Sequence, residues 1–286
     1  MIQRRETLDD ILERMEDLYD SGQVEKVRKE LRRARGLFPE DLTLLEWEAT
    51  FASDDGRPKD ALKFLESVLA EEPKRPFARR EKTLVLMALG RFEEALALLL
   101  DIGPEGRSLE EASAEKRGSP DPLGAVNAGE AAFHFDRGLC IDHLGRPAEA
   151  DEAFRKAAGL DPEGCVMPLR LSEEEFGRVV TAAIEGIPGE LQGYLANVVT
   201  EVRDYPSNPP LDPDFDPGLL GLYVGVPRTE RTQEYRDHLD RIFIFKRNLE
   251  IEFPDRGTLQ EEIRKTVIHE IAHHFGLGEE DMGEFA

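Results

Sequence analysis

The most regular pattern in the chain is a 34-residue recurrence of turn, small and apolar positions in its first half. Gly22, Gly56 and Gly90 are spaced 34 apart, as are Val27, Ala61 and Ala95, and again Pro39 and Pro73. The same offsets return at Gly145, Ala150 and Pro162 after an extra 21 residues. A period of this length predicts stacked helical hairpins, in which a small side chain just after each glycine turn lets the two helices approach. Four hairpins account for most of residues 8–162, the first being the least regular because Val27 replaces a smaller residue. The stretch 102–126 is rich in Gly, Pro, Ser and charge, and predicts a long mobile connection between hairpins three and four.

Beyond residue 165 the periodicity changes. Ser172 and Glu175 form a capping-box pair ahead of an amphipathic stripe of Phe176, Val179, Val180, Ala183 and Ile184, so a helix is expected there. This helix is expected to open the second domain and cover the end of the fourth hairpin. Short β-branched or aromatic runs at 197–202, 219–224 and 241–246, bounded by Pro, Gly and Asp, predict strands of a small sheet. The Pro-rich stretch 205–217 reads as a loop. A last helix is expected over 259–275, started by a Thr258/Glu261 capping box and stopped at Gly276. At about 100° per residue, Ile263, Val267, Ile268, Ile271, Ala272 and Phe275 cover one half of that helix.

The other half carries the candidate chemistry. His269, Glu270 and His273 have the HExxH spacing, in a chain with only six histidines. One helical turn puts both imidazoles where they can grip a single zinc ion, and Glu270 beside them can hold a metal-bound water and take its proton. A catalytic zinc usually has three protein ligands and one open position. Glu279 stands where the longer pattern HExxHxxGxxH has its last ligand and is the first choice for the third, with Glu280 the second. His274 points away from the pair and reads as a supporting histidine.

Both regions resemble known families. The repeats are similar to tetratricopeptide repeats, best at 84–100 and 131–162. The segments HEIAHHFGLGEEDM (269–282), GLYVGVPRTER (221–231) and DRIFIFKRNLE (240–250) resemble the minimal zincins, small bacterial zinc metallopeptidases of metzincin-like design. That likeness begins near residue 171 and implies zinc binding and peptide hydrolysis. Members usually carry Asp, or His in related metzincins, where this chain has Glu279. A metzincin-type methionine turn has no room after the motif, and Met282 lies too close to the helix for that role. In zincins an edge strand beside the metal helix pairs with the substrate backbone, and 242–245 is the candidate here. Tyr223, in a matching segment, is a candidate transition-state stabiliser, with a buried strand tyrosine as the simpler reading. Glu230 and Arg231 are expected to pair with each other and pin their loop.

Composition narrows the partners. The formal net charge is −23, with acidic excess in both halves, which disfavours nucleic acid because binding it needs basic surface. No leader-like or membrane-length apolar run is read, so a cytoplasmic location is expected. Cys140 and Cys165 fit reduced core positions, and Trp47, His134, His143 and His238 fit ordinary structural ones. The expected architecture is α + α/β: an all-α repeat domain at 1–165, then a zincin-like α/β domain at 166–286 with a three- to four-stranded sheet. The expected function is zinc-dependent peptide hydrolysis, with peptide or protein as substrate and the repeat array binding a peptide or protein partner. A non-catalytic adaptor with a structural or vestigial zinc site is the alternative, and a zinc hydrolase acting on a non-peptide the third reading.

Overall fold

The computed structural model describes residues 6–104, 122–206, 216–231 and 239–277. Its chain divides into two compact units, 1–133 and 134–286. The first unit holds three hairpins: α1 (Leu8–Asp20) with α2 (Val24–Leu37), α3 (Leu42–Asp54) with α4 (Pro58–Glu71), and α5 (Pro76–Ala88) with α6 (Phe92–Ile102). Each hairpin turns at the glycine that the period marks, and Gly22, Gly56 and Gly90 have φ of 73°, 67° and 69°, a left-handed backbone that a Cβ would strain. Val27, Ala61 and Ala95 are buried at the helix crossings. Thr7 starts α1 with a closed capping box to Asp10, and Asp41 caps α3 through Leu44 N–H, contacts worth about 1 kcal/mol each. Trp47 packs on the core of Ile11, Met15, Leu31 and Phe51, with Tyr19 edge-on at 5.2 Å. Its outer side lines a groove of about 300 Å³ with Thr43, Glu46, Thr50 and Phe77.

The fourth hairpin consists of α7 (Pro122–His143) and α8 (Pro147–Leu160). Helix begins at Pro122, so the last part of the expected connection 102–126 is helical, while 105–121 lies outside the described residues. From His134 onward this hairpin belongs to the same compact unit as the C-terminal domain, whereas the sequence placed the division near residue 165. Gly138 allows the close crossing of α7 and α8, because a Cβ there would lie 2.6 Å from the Phe154 ring.

The C-terminal part has α9 (Glu173–Glu185), a short helical turn, then strands β1 (Val198–Arg203), β2 (Gly221–Val224) and β3 (Asp240–Phe245), followed by α10 (Lys246–Glu252) and α11 (Arg256–Phe275). The three-stranded sheet has the order β1-β3-β2, with β1 parallel and β2 antiparallel to β3. β3 is therefore the central strand and cannot be the substrate-pairing edge that its sequence suggested. β2, an edge strand of this sheet, lines the cleft beside His269, Glu270 and His273. Ile242 and Ile244 of β3 join Phe176 and Val180 of α9 and Ile263, Val267 and Ile271 of α11 in one core. Phe243 and Phe245 are buried on the opposite face, where Arg203 lies 4.3 Å over the Phe243 ring.

Two local expectations change. α11 starts three residues early because Asp255, not Thr258, is its cap and accepts from Thr258 N–H at 2.9 Å. Ser172 does cap α9, but the buried face of α9 packs into the sheet core rather than over the fourth hairpin. The tie to that hairpin comes from the connecting chain. Arg170 reaches Asp142 Oδ2 at 2.9 Å and Asp151 Oδ1 at 2.6 Å, and Tyr205 donates to Asp142 Oδ2 at 2.7 Å while its ring stacks on His143. The next residue, Leu171, donates its N–H to Glu250 Oε1 at 2.7 Å. Glu250 is fully buried and also receives Lys246 at 2.6 Å and Arg247 at 2.9 Å. Neither Cys140 nor Cys165 forms a disulfide; both are buried thiols, and burial pushes Cys140 up to about 12.

Candidate active site

Helix α11 must do two things at once. Its apolar face, Leu259, Ile263, Val267 and Ile271, holds it on the sheet, and this leaves residues 269, 270 and 273 to meet β2. The His269 and His273 rings are 4.8 Å apart between centroids and nearly perpendicular, as i, i+4 spacing allows. Glu270 is 6% exposed, the buried member of the three. It fits because β2 has no side chain at Gly221, where a Cβ would stand 2.7 Å from Glu270 Oε1 and 2.8 Å from Thr266 Cγ2. These residues open on a cleft of about 500 Å³ lined also by Leu219, Leu222, Tyr223, Pro227, Glu230 and Leu277.

A second polar group lies behind the cleft. Asp240, at the start of β3 and almost wholly buried, accepts from the Tyr223 hydroxyl at 2.8 Å, pairs with Arg231, and lies 2.7 Å from His274 Nδ1. His274 is fully buried, with Nε2 3.2 Å from the Tyr194 carbonyl oxygen, and burial holds its imidazole below the usual range although Asp240 opposes this. Burial, then the bond to Asp240, pushes the Tyr223 phenol up to about 12. Tyr223 therefore stays protonated at neutral pH with its hydroxyl directed to Asp240. Arg231 also donates from Nε to Val226 O at 2.9 Å, so it pins its loop by pairing with Asp240 rather than with Glu230. Asp240 is the functional-region residue that the sequence reading passed over. Its only signal was an acid at the head of a strand within a segment of family likeness.

The two histidines and the glutamate are brought together as the spacing requires. Glu279, Glu280 and Met282 lie outside the described residues, as does His238. Among the described residues no three His, Cys, Asp or Glu side chains converge as a metal site. The donors that are described fit zinc by type and placement: two imidazoles on one helical turn, with a carboxylate beside them in a cradle that a Cβ would fill.

Residues 195–286 match the family model of zincin-like metallopeptidases. The C-terminal domain is zincin-like. Residues 52–115 match that of the tetratricopeptide repeat, so the order is a repeat array followed by the zincin-like domain. The match to the zincin-like family starts at residue 195, inside the span of likeness that the sequence suggested. No curated protein matches the chain. Two solved structures are similar in part. "MamA RS-1 ArsTM double mutant" is 17% identical over 64% of this chain and 87% of its own, with a TM-score of 0.39. "Crystal structure of MamA protein" is 14% identical over 57% of this chain and 96% of its own, with a TM-score of 0.33. Among the described residues, no helix of the zincin-like domain or of the array is long and apolar enough to cross a membrane.

Proposed function

We propose that the chain is a zinc-dependent peptidase whose repeat array binds a peptide or protein partner. The observation that carries this reading is the seat of Glu270 beside the paired His269 and His273 rings, over Gly221 and at the floor of the cleft. His269 and His273 would hold the metal, with Glu279 as third ligand or Glu280 in its place. Zinc bound there supplies Lewis acidity and lowers the pKa of a water in its open position. Glu270 takes a proton from the water that attacks the scissile carbonyl and returns it to the departing amide nitrogen. The apolar wall of Leu219 and Leu222 and the edge of β2 orient an extended peptide, whose backbone can add to that edge. Tyr223, with its proton directed to Asp240, keeps the wall in place, and its part as an oxyanion donor requires that it turn from Asp240 when substrate binds.

The test is zinc content and peptide-library cleavage by the full chain beside two variants. Glu270→Gln keeps one zinc per chain and loses cleavage, while His269→Ala loses the zinc. Undiminished cleavage by Glu270→Gln would overturn the reading.

A further inference from the structure

Glu230 is an exposed side chain at the candidate cleft. It lines the same cavity as His269, Glu270 and His273, yet it makes no convergent three-donor group with them among the described residues. The two arginines nearest in sequence are engaged elsewhere: Arg228 lies 4.1 Å over the Tyr194 ring, and Arg231 pairs with Asp240. Among the described residues Glu230 has no ion pair. Its backbone is nonetheless fixed on both sides. Arg231 is held by Asp240 and by the Val226 carbonyl, and Thr229 packs so closely on Gly276, at the end of the HExxH helix, that a Cβ on that glycine would collide with it. Glu230 N–H closes a tight turn onto Pro227 O at 2.9 Å. The result is an exposed carboxylate on an anchored turn, lining the cleft together with Leu219, Leu222 and Leu277. Such a group rewards a positive charge on whatever lies in the cleft and penalises a negative one.

We propose that Glu230 is the specificity carboxylate of this cleft, selecting peptides that place a cationic group one or two residues from the scissile bond. The proposal rests on the peptidase reading of the cleft but is tested apart from turnover. The cation can be a Lys or Arg side chain or a free N-terminal amine, and the peptides distinguish the two.

The experiment uses the full-length Glu270→Gln protein loaded with zinc, and measures binding of fluorescent peptides at physiological salt. One set is N-acetylated and carries a single Lys, norleucine or Glu moved stepwise along an otherwise uncharged sequence. A second set has a free N-terminus and no Lys. The expected result is that Lys at one or two registers, or the free amine, tightens binding about fivefold over norleucine. Glu230→Gln removes this preference, and Glu230→Lys reverses it in favour of the Glu peptide. The same preference should appear as kcat/KM in the unmodified protein. A Lys preference spread evenly over all registers, or one unchanged in Glu230→Lys, would overturn the proposal. Register-dependent binding without cleavage by the unmodified protein would leave Glu230 in its role and defeat the peptidase reading instead.

Discussion

Gly221 of β2 and Glu270 of α11 share a single space: a Cβ on the glycine would lie 2.7 Å from Glu270 Oε1 and 2.8 Å from its Cγ. The carboxylate position is therefore set by the strand as much as by the helix. In Gly221→Ala either β2 shifts or Glu270 leaves its seat, and overpacking of this size costs about 1–3 kcal/mol. On the proposed peptidase reading, a displacement near 1 Å would lower turnover about 100-fold. Because His269 and His273 are not touched, zinc content should stay at that of the unmodified protein. Full activity in Gly221→Ala would show that the seat is not what places the base.

Asp240 predicts a different kind of failure. It is the common partner of Tyr223, Arg231 and His274, on a strand, a loop and the HExxH helix. Asp240→Leu leaves the Arg231 charge with its buried partner gone, a loss of about 3–5 kcal/mol. Asp240→Asn keeps the shape and one acceptor, so its loss should be smaller. Urea unfolding of both variants checks the order. Equal stability of the leucine variant and the unmodified protein would mean that the group is ornamental to the fold.

The parts of this structure that were legible in the sequence are those written as local periodicity. Gly22, Gly56 and Gly90 adopt positive φ at the turns where the 34-residue period puts them, Gly145 does so where the offset returns after an extra 21 residues, and the three strands lie within two residues of their expected bounds. The HExxH pairing is likewise a property of one helix. What the sequence did not give was long-range: β3 is central because β1 pairs with it in parallel across an intervening 36 residues (203 to 240), and no local pattern encodes that order. Arg231 had an acid beside it in Glu230, yet its partner is Asp240, nine residues away. The cap of α11 moved for a simpler reason: Asp255 and Thr258 both suit an N-cap, and the earlier one adds a turn of helix without disturbing the apolar face.

His143 gives a pH dependence. Burial lowers its imidazole from 6.5 to about 4, against the pull of neighbouring Asp142. A histidine whose folded pKa lies below its unfolded value favours the folded state while neutral. Its contribution is complete above about pH 6.5 and is lost as pH falls through 6.5 toward 4, by up to about 3 kcal/mol at about 1.4 kcal/mol per unit. His143→Gln should flatten the stability curve across that window relative to the unmodified protein. Parallel curves for the two proteins between pH 6.5 and 4 would show that His143 does not titrate there.

The clasp around Arg170 makes the last prediction. Arg170 binds Asp142 and Asp151 of the fourth hairpin, and the next peptide, Leu171 N–H, binds Glu250 just after the central strand. Two consecutive residues thus join the hairpin to Glu250 and its two cations, Lys246 and Arg247. Asp142 is nearly devoid of solvent, so removing the guanidinium leaves its carboxylate with the Tyr205 hydroxyl and costs about 3 kcal/mol. A nick near Cys165 in the unmodified protein should leave the fragments associated through Asp142, Tyr205 and their packing. In Arg170→Met the same nick should release them at a lower urea concentration, with little effect of salt on the difference because the pair is shielded. A double-mutant cycle with Asp142→Asn isolates the contact from general destabilisation, and a coupling near zero would mean that the hairpin is held by packing alone.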